Sequence, residues 1–374
     1  MVQTIIDESL KFRPAKVYIE EEALDYPLTS RILENLRGIP QEVVVSAQGS
    51  VKDLYRTRDP ISQGKEIMLL QVQRGSFLKH CPGTKNYICC LYQILDLATN
   101  CNLDCSYCIL QAYLNNPFLV QYVNLDDLFA ELEETIKGNR GLVYRIGTGE
   151  LTDSLSLDHI TELSKDLVLY FSQFTNACLE LKTKSVEVGN LLDLRHKGRT
   201  VVSWSLNPDS VISSEELGAP SLDERLEAAR LCQEAGYRLG FHFDPLIAYP
   251  GWEDEYRGVV DLLFRAINPL RIAWISLGAL RFPPQMEGIL RERFPGSDLV
   301  KGELFRGMDG KLRYFRPIRT EIFKRVYGWI KERAPGVFVY LCMESPRVWR
   351  DSLGWAPRDN YQLRDLLAQR CLER

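Results

Sequence analysis

No stretch of this 374-residue chain is apolar for long enough to span a bilayer, and its first residues lack a basic segment followed by a greasy one. Neither a membrane protein nor a secreted one is expected. The ten cysteines then read as reduced thiols and ligands of a cytoplasmic protein, not as a disulfide scaffold. Surplus positive charge is missing too: 46 Lys and Arg against 50 Asp and Glu leave a net charge of −4, so any nucleic-acid face has to be local. What remains is an ordinary globular composition, 45% hydrophobic and 26% charged, long enough for two or three domains. The most telling absence is a smaller one. Cys101, Cys105 and Cys108 stand at C-x3-C-x2-C spacing just past the apolar run 92–98, and no fourth cysteine at matching spacing stands near them.

A four-iron cluster usually takes four cysteines. Three of them leave one iron open to a ligand that is not protein. The stretch resembles the signature of the radical S-adenosylmethionine enzymes, whose open iron chelates the methionine end of the cofactor. Zinc is the alternative. Zinc sites favour paired C-x2-C knuckles and a fourth ligand, and the chain has no companion pair.

The spacing of apolar residues predicts a small N-terminal α/β unit over 1–90, with β runs at 17–19, 42–45 and 68–72 and a helix at 28–36 between the first two. From 91 to 282, β runs at 93–98, 142–146, 179–183, 200–205, 239–244 and 271–277 alternate with helical patterns. Asn124 is placed to cap a helix over 125–137 that Gly138 stops, and Ser221-Leu222-Asp223-Glu224 is a capping box opening a helix that ends at Gly236. Six strands alternating with helices predict an α/β fold, a partial (β/α)6 barrel like an incomplete TIM barrel. Residues 283–374 form a C-terminal extension in which 320–332 reads as a helix, 337–341 as a strand, and Trp349, Trp355 and Pro357 as an irregular tail.

In such barrels the chemistry gathers where strands end. Here the first strand leads to the three cysteines, the second to Gly147-Thr148-Gly149-Glu150, the third to Lys182-Thr183-Lys184, the fourth to Ser205-Leu206-Asn207 and the fifth to Asp244-Pro245. Gly147 and Gly149 admit close backbone approach, and Glu150 suits an ammonium group. Lys184 and Ser205 offer a cation and a hydroxyl to a carboxylate. His242 lies in an apolar run and reads as a core residue. Cys81, Cys89 and Cys90 lie upstream; they serve either an auxiliary cluster, with distant Cys342, or packing.

The stretch 305–316 reads as a hairpin turning at Asp309-Gly310. Arg306, Lys311, Arg313 and Arg316 stand there beside Phe305, Tyr314 and Phe315. Cations among aromatics suit phosphates and exposed bases; a charged edge strand that blocks aggregation fits the same letters.

The triplet with Ile109-Leu110-Gln111, Ser205-Leu206-Asn207, 222–235 and 241–250 followed by Gly251-Trp252 resembles the spore photoproduct lyase family of radical S-adenosylmethionine proteins. The likeness runs over most of the chain and is weakest before about Val17 and after about Pro283. It implies a [4Fe–4S] cluster on Cys101, Cys105 and Cys108, Tyr107 close to the bound S-adenosylmethionine, and Lys184, Ser205 and Asn207 among the cofactor's ligands. By the same resemblance Thr152 and Asp153 lie on the lesion side, the hairpin helps to open duplex DNA, and the lesion is reached by extrusion. An external one-electron donor of the flavodoxin or ferredoxin type and a monomeric state are also implied. Two residues depart from the family pattern. Glu150 stands where the lyases carry a hydrogen-donor cysteine, and Ile109 where they carry a tyrosine. A carboxylate cannot pass a hydrogen atom to a carbon radical as a thiol can.

Three functions follow as candidates: a radical lyase acting on a DNA photolesion, a radical enzyme of the same branch on RNA, a peptide or a small metabolite, and a non-catalytic iron–sulfur or nucleic-acid-binding protein.

Overall fold

The computed structural model describes residues 11–46, 59–84 and 86–372. Strands β1 (Lys16–Glu20), β2 (Gln41–Val44) and β3 (Ile67–Gln71) pair in parallel with β1 in the middle. The helix Pro27–Asn35 crosses from β1 to β2, opening with a proline in its first turn and burying Leu28 and Ile32. The expected strand–helix–strand unit is therefore present, but its sheet does not stop at residue 90. Strands β4 (Leu78–His80), β5 (Gln93–Leu95), β6 (Ala98–Thr99), β7 (Asp104–Cys105) and β8 (Leu119–Tyr122) follow. Of these, β8 pairs in parallel with β3, and β6 pairs with β8, giving the order β2-β1-β3-β8-β6.

Next along the chain come β9 (Tyr144–Gly147), β10 (Ala177–Thr183), β11 (Thr200–Ser205), β12 (Glu216–Leu217), β13 (Arg238–Leu246), β14 (Ile272–Ala279), β15 (Arg281–Phe282), β16 (Phe305–Arg306), β17 (Leu312–Arg313) and β18 (Val339–Leu341). The barrel sheet runs β18-β14-β13-β11-β10-β9-β5-β4. Neighbours from β5 to β18 are parallel, and their strands are almost wholly buried, as a sheet covered on both faces requires, with polar residues such as Glu180, Ser203 and His242 among the apolar ones. All six expected strands stand in it. The sheet extends one strand further at each end, to antiparallel β4 and to β18, a strand expected in the C-terminal extension. Ile88 N donates to Glu344 O at 2.9 Å in a lone antiparallel bridge. This bridge draws the segment entering β5 against the one leaving β18 and makes a seam.

Several local expectations need correction. Asn124 precedes the helix Leu125–Gly138 without capping it; its side chain holds the end of β3 instead, bonding Gln73 N at 2.8 Å and Gln73 O at 3.1 Å. Gly138 is the helix's last residue, not the one beyond it. The capping box at Ser221 forms as expected on the helix Leu222–Glu234. The helix Arg316–Arg333 starts four residues early because Pro317 fits its first turn, and Arg316 thereby leaves the hairpin. Trp349 is not in an irregular tail. It is fully buried in the helix Pro346–Leu353, edge-on to Trp355 at 5.2 Å. A last helix, Asn360–Leu372, packs Leu363, Leu367 and Cys371 inward. Among the described residues no helix is long and apolar enough to cross a membrane.

Candidate active site

The cysteine loop is short of regular structure, and the fold grips it from both sides. On one side β7 pairs antiparallel with β12, setting Cys105 opposite Glu216 and Asp104 opposite Leu217. Ser106 N donates to Glu215 O at 2.8 Å, and the Ser106 hydroxyl bonds the Glu215 carboxylate. On the other side Asp104 takes Lys65 at 3.1 Å and Arg293 at 2.8 Å. Lys65 also donates to Leu103 O, while Gln111 donates to the carbonyls of Cys105 and Ser106 at 3.0 and 3.1 Å. A loop held this way presents its thiols in one fixed geometry.

All three thiols are free. Burial pushes Cys101 up to about 12. It pushes Cys105 higher still, against the pull of Lys184. Thiols so placed are stable as thiolates only with a cation on them. Among the described residues no three Cys, His, Asp or Glu side chains are gathered closely enough to hold a single ion. Cluster ligands each grip a different iron and need no such convergence, so the donor set fits a cluster better than zinc.

Beside the loop lies a buried network that the sequence reading missed. Glu216 receives the Tyr107 hydroxyl, Asn207 Nδ2 at 2.8 Å and Arg225 Nη2 at 2.5 Å. Arg225 reaches on to Ser205 O at 3.0 Å, and Tyr256 donates to Asn207 Oδ1 at 2.8 Å. Burial alone raises a carboxyl, but Lys184 and Arg225 hold Glu216 below its usual value. Lys184, half-buried, stands 5.6 Å from the centre of the Tyr107 ring. One carboxylate thus ties these residues together: Tyr107 and Asn207 bond it, Lys184 acts on it through charge, and Ser205 reaches it only by its main-chain carbonyl through Arg225. The only hint in the sequence was a pair of acids, Glu215-Glu216, ahead of the capped helix that carries Arg225.

Thr152 and Asp153 sit between the second and third strand ends. Asp153 accepts from Leu155 N (3.0 Å), Ser156 N (2.9 Å), Thr183 Oγ1 (2.6 Å) and Lys184 N (2.8 Å), so its carboxylate anchors the turn and places Lys184. Thr152 is buried beside it. The glycines of the Gly147–Glu150 turn answer to protein neighbours. A methyl group on Gly147 would lie 1.4 Å from the Tyr92 hydroxyl, and one on Gly149 would lie 2.7 Å from Lys182 O. Glu150 pairs with Lys182 at 2.9 Å. Inside the barrel, His242 is buried as expected but polar in its contacts, bonding Glu180 at 2.9 Å and Ser276 at 2.6 Å.

At the hairpin, Gly307 N bonds Lys311 O at 2.8 Å and Gly310 has φ +78°. The turn is therefore three residues wide, 308–310, and not the two-residue turn expected at Asp309-Gly310. On its far side β17 pairs with β15, which ties the hairpin to the barrel rim. Arg306 and Arg316 are exposed and Lys311 is half-buried. Arg313 is not available to a nucleic acid. It is 2% exposed, paired with Asp309 and Glu344 and stacked over Tyr87. Tyr314 is likewise turned inward, its hydroxyl accepting from Ala248 N at 3.1 Å. In their place Phe305, Met308 and Phe315 are exposed, with the two rings 5.0 Å apart.

A family model described as "Spore photoproduct lyase" matches residues 12–314. The chain belongs to the spore photoproduct lyase family. It is 29% identical over 335 residues to the spore photoproduct lyase of Geobacillus sp. (strain Y412MC61), covering 84% of this chain and 91% of that one. The lyase of Bacillus subtilis (strain 168) is also 29% identical, over 329 residues covering 86% and 92%. A solved spore photoproduct lyase complexed with dinucleoside spore photoproduct superposes with a TM-score of 0.79, covering 88% of this chain and 99% of that one. A mutant lyase with bound AdoMet and dinucleoside spore photoproduct superposes at 0.78. Against that family frame, residues 315–374, with β18 and Cys342, lie beyond the matched stretch.

Proposed function

We propose that the chain is a radical S-adenosylmethionine lyase that reverses a thymine photolesion in DNA. The observation that carries this reading is the three-thiol loop, clamped at the mouth of a partial barrel beside the Tyr107–Lys184–Ser205–Asn207 group. When bound, a [4Fe–4S] cluster on Cys101, Cys105 and Cys108 with S-adenosylmethionine at its open iron supplies one-electron cleavage and a 5′-deoxyadenosyl radical.

The chain's own residues bind and orient. Lys184, held by Asp153 through its backbone and raised by Glu216 and Cys105 against the effect of burial, offers its ammonium to the cofactor's carboxylate, and Ser205, at the end of the neighbouring strand, offers its hydroxyl. Tyr107, fixed by Glu216, limits how the cofactor can lie. Glu150, on the turn that Gly147 and Gly149 allow to pack against Tyr92 and Lys182, is offered to the amine end once Lys182 gives up its carboxylate. Thr152 lies on the lesion side. Arg306 and Arg316 meet phosphates, and Phe305 and Phe315 offer faces to unstacked bases. A flavodoxin- or ferredoxin-type protein delivers the electron, and the chain works as a monomer.

The test is anaerobic reconstitution with iron, sulfide and dithionite, followed by incubation with dinucleoside spore photoproduct. Release of thymine dinucleotide with 5′-deoxyadenosine supports the reading. Formation of 5′-deoxyadenosine only with an RNA, peptide or metabolite substrate points to the second candidate, which Glu150 in place of a thiol favours. No 5′-deoxyadenosine under any condition leaves a non-catalytic iron–sulfur protein.

A further inference from the structure

A photolesion lyase must return a hydrogen atom to the product radical, and Glu150 has none to give. The geometry points to Cys342 as that donor; the assignment rests on the function proposed above. Around the rim, charged side chains lead from the vacant donor position to this thiol. Glu150 pairs with Lys182 at 2.9 Å. Lys182 and Asp244 lie within each other's field. Asp244 takes Arg281 through two bonds of 3.0 and 2.9 Å, and Arg281 Nη2 donates to Cys342 Sγ at 3.4 Å.

Cys342 directly follows β18, and its N–H bonds Leu277 O at 2.8 Å. That places it at the strand-end rim from which the Gly147–Glu150 turn also springs. It does not stand alone. Asp244, Glu150 and, across the seam, Cys90 all bear on it, and Cys90 bears in turn on Cys81 and Cys89. The Cys89 thiol is occupied with Thr84 N at 3.2 Å, whereas among the described residues the Cys342 thiol takes a single hydrogen bond, from the Arg281 guanidinium. A second buried polar group on this rim is without a protein partner among the described residues, the Tyr92 hydroxyl. It ends against Gly147, while Glu150 and Cys90 lie within its field. Burial, with Asp244, Cys90 and Glu150, keeps Cys342 protonated against the pull of Arg281, so the hydrogen is in place.

The step balances. The carbon radical takes the hydrogen atom, the S–H bond breaks, a C–H bond forms and a thiyl radical is left on Cys342. One electron from the flavodoxin- or ferredoxin-type donor and one solvent proton restore the thiol.

The experiment is turnover of dinucleoside spore photoproduct by the reconstituted protein in D2O, followed by mass analysis of the dinucleotide. Thiols exchange with solvent, so the wild-type product gains one deuterium. Cys342→Ala and Cys342→Ser keep their iron and form 5′-deoxyadenosine in the first turnover, but release at least tenfold less product; Cys90→Ala does not. Unlabelled wild-type product, undiminished product from Cys342→Ala, or loss confined to Cys90→Ala overturns the assignment while leaving the proposed function standing. If the lesion elicits no 5′-deoxyadenosine from the wild type, the proposed function fails and the donor falls with it.

Discussion

Glu216 and Arg225 meet at 2.5 Å with both side chains wholly buried, and the same carboxylate holds the Tyr107 hydroxyl. A buried ion pair is of small net benefit to stability when whole, because desolvation offsets the attraction. Halving it strands a charge. This pair stands between the cysteine loop and the strand ends that carry Ser205 and Asn207, so it couples fold to site.

Arg225→Met is therefore expected to destabilise the protein by about 3–5 kcal/mol, the usual loss when one partner of a buried pair is removed. Glu216→Gln should cost less stability but weaken S-adenosylmethionine binding, since Lys184 loses its counter-charge and Tyr107 its charged acceptor. Calorimetric melting and equilibrium binding measure the two effects separately. Unchanged binding in a folded Glu216→Gln protein would remove Glu216 from the site.

Replacing Cys105 by Ala should abolish the brown absorbance of the reconstituted protein and its iron. Cys81→Ala and Cys89→Ala should leave both intact, at about four irons per chain for one cluster. Iron and sulfide analysis decides it, and an excess lost with Cys81 would reveal an auxiliary cluster.

The hairpin separates surface charge from buried charge. Arg306→Ala and Arg316→Ala should each lower the salt slope of DNA binding by about one, as loss of one phosphate contact does. Arg313→Ala should act on the fold instead, by about 3–5 kcal/mol, because the buried Asp309 loses its partner, while Glu344 keeps Arg319 at 2.7 Å. Salt titrations of binding next to thermal melts distinguish the two. A stable Arg313→Ala protein with a reduced slope would reverse the assignment.

Acid should loosen the barrel interior. Burial alone would raise Glu180, but His242 and Arg145 hold it down to about 2. A depressed carboxyl contributes stability that is complete above its unfolded value near 4.5 and is lost as pH falls towards 2. Wild type should thus melt above Glu180→Gln at about pH 6, with the gap closing through that window. A gap that does not change with pH would show that Glu180 is not ionised in the folded protein.

Much of this was readable from short-range pattern. The C-x3-C-x2-C spacing confines three thiols to eight residues, the Ser221 capping box closes within one helical turn, and alternating apolar runs locate all six expected barrel strands. Each of these depends on atoms a few residues apart, where local geometry leaves little choice. What holds and completes the site comes from much further along the chain. Tyr107 meets Glu216 across 109 residues and Asp104 meets Arg293 across 189. Such pairs leave no periodic trace in a sequence. Arg313 and Arg316 look alike in a hairpin of cations and aromatics; only the packing of Glu344 against one of them decided which is buried in the fold and which faces solvent. The same packing carried β18 to the barrel edge and set Cys342 on its rim, because the pairing of that strand with β14 is a long-range bond that spacing alone does not specify.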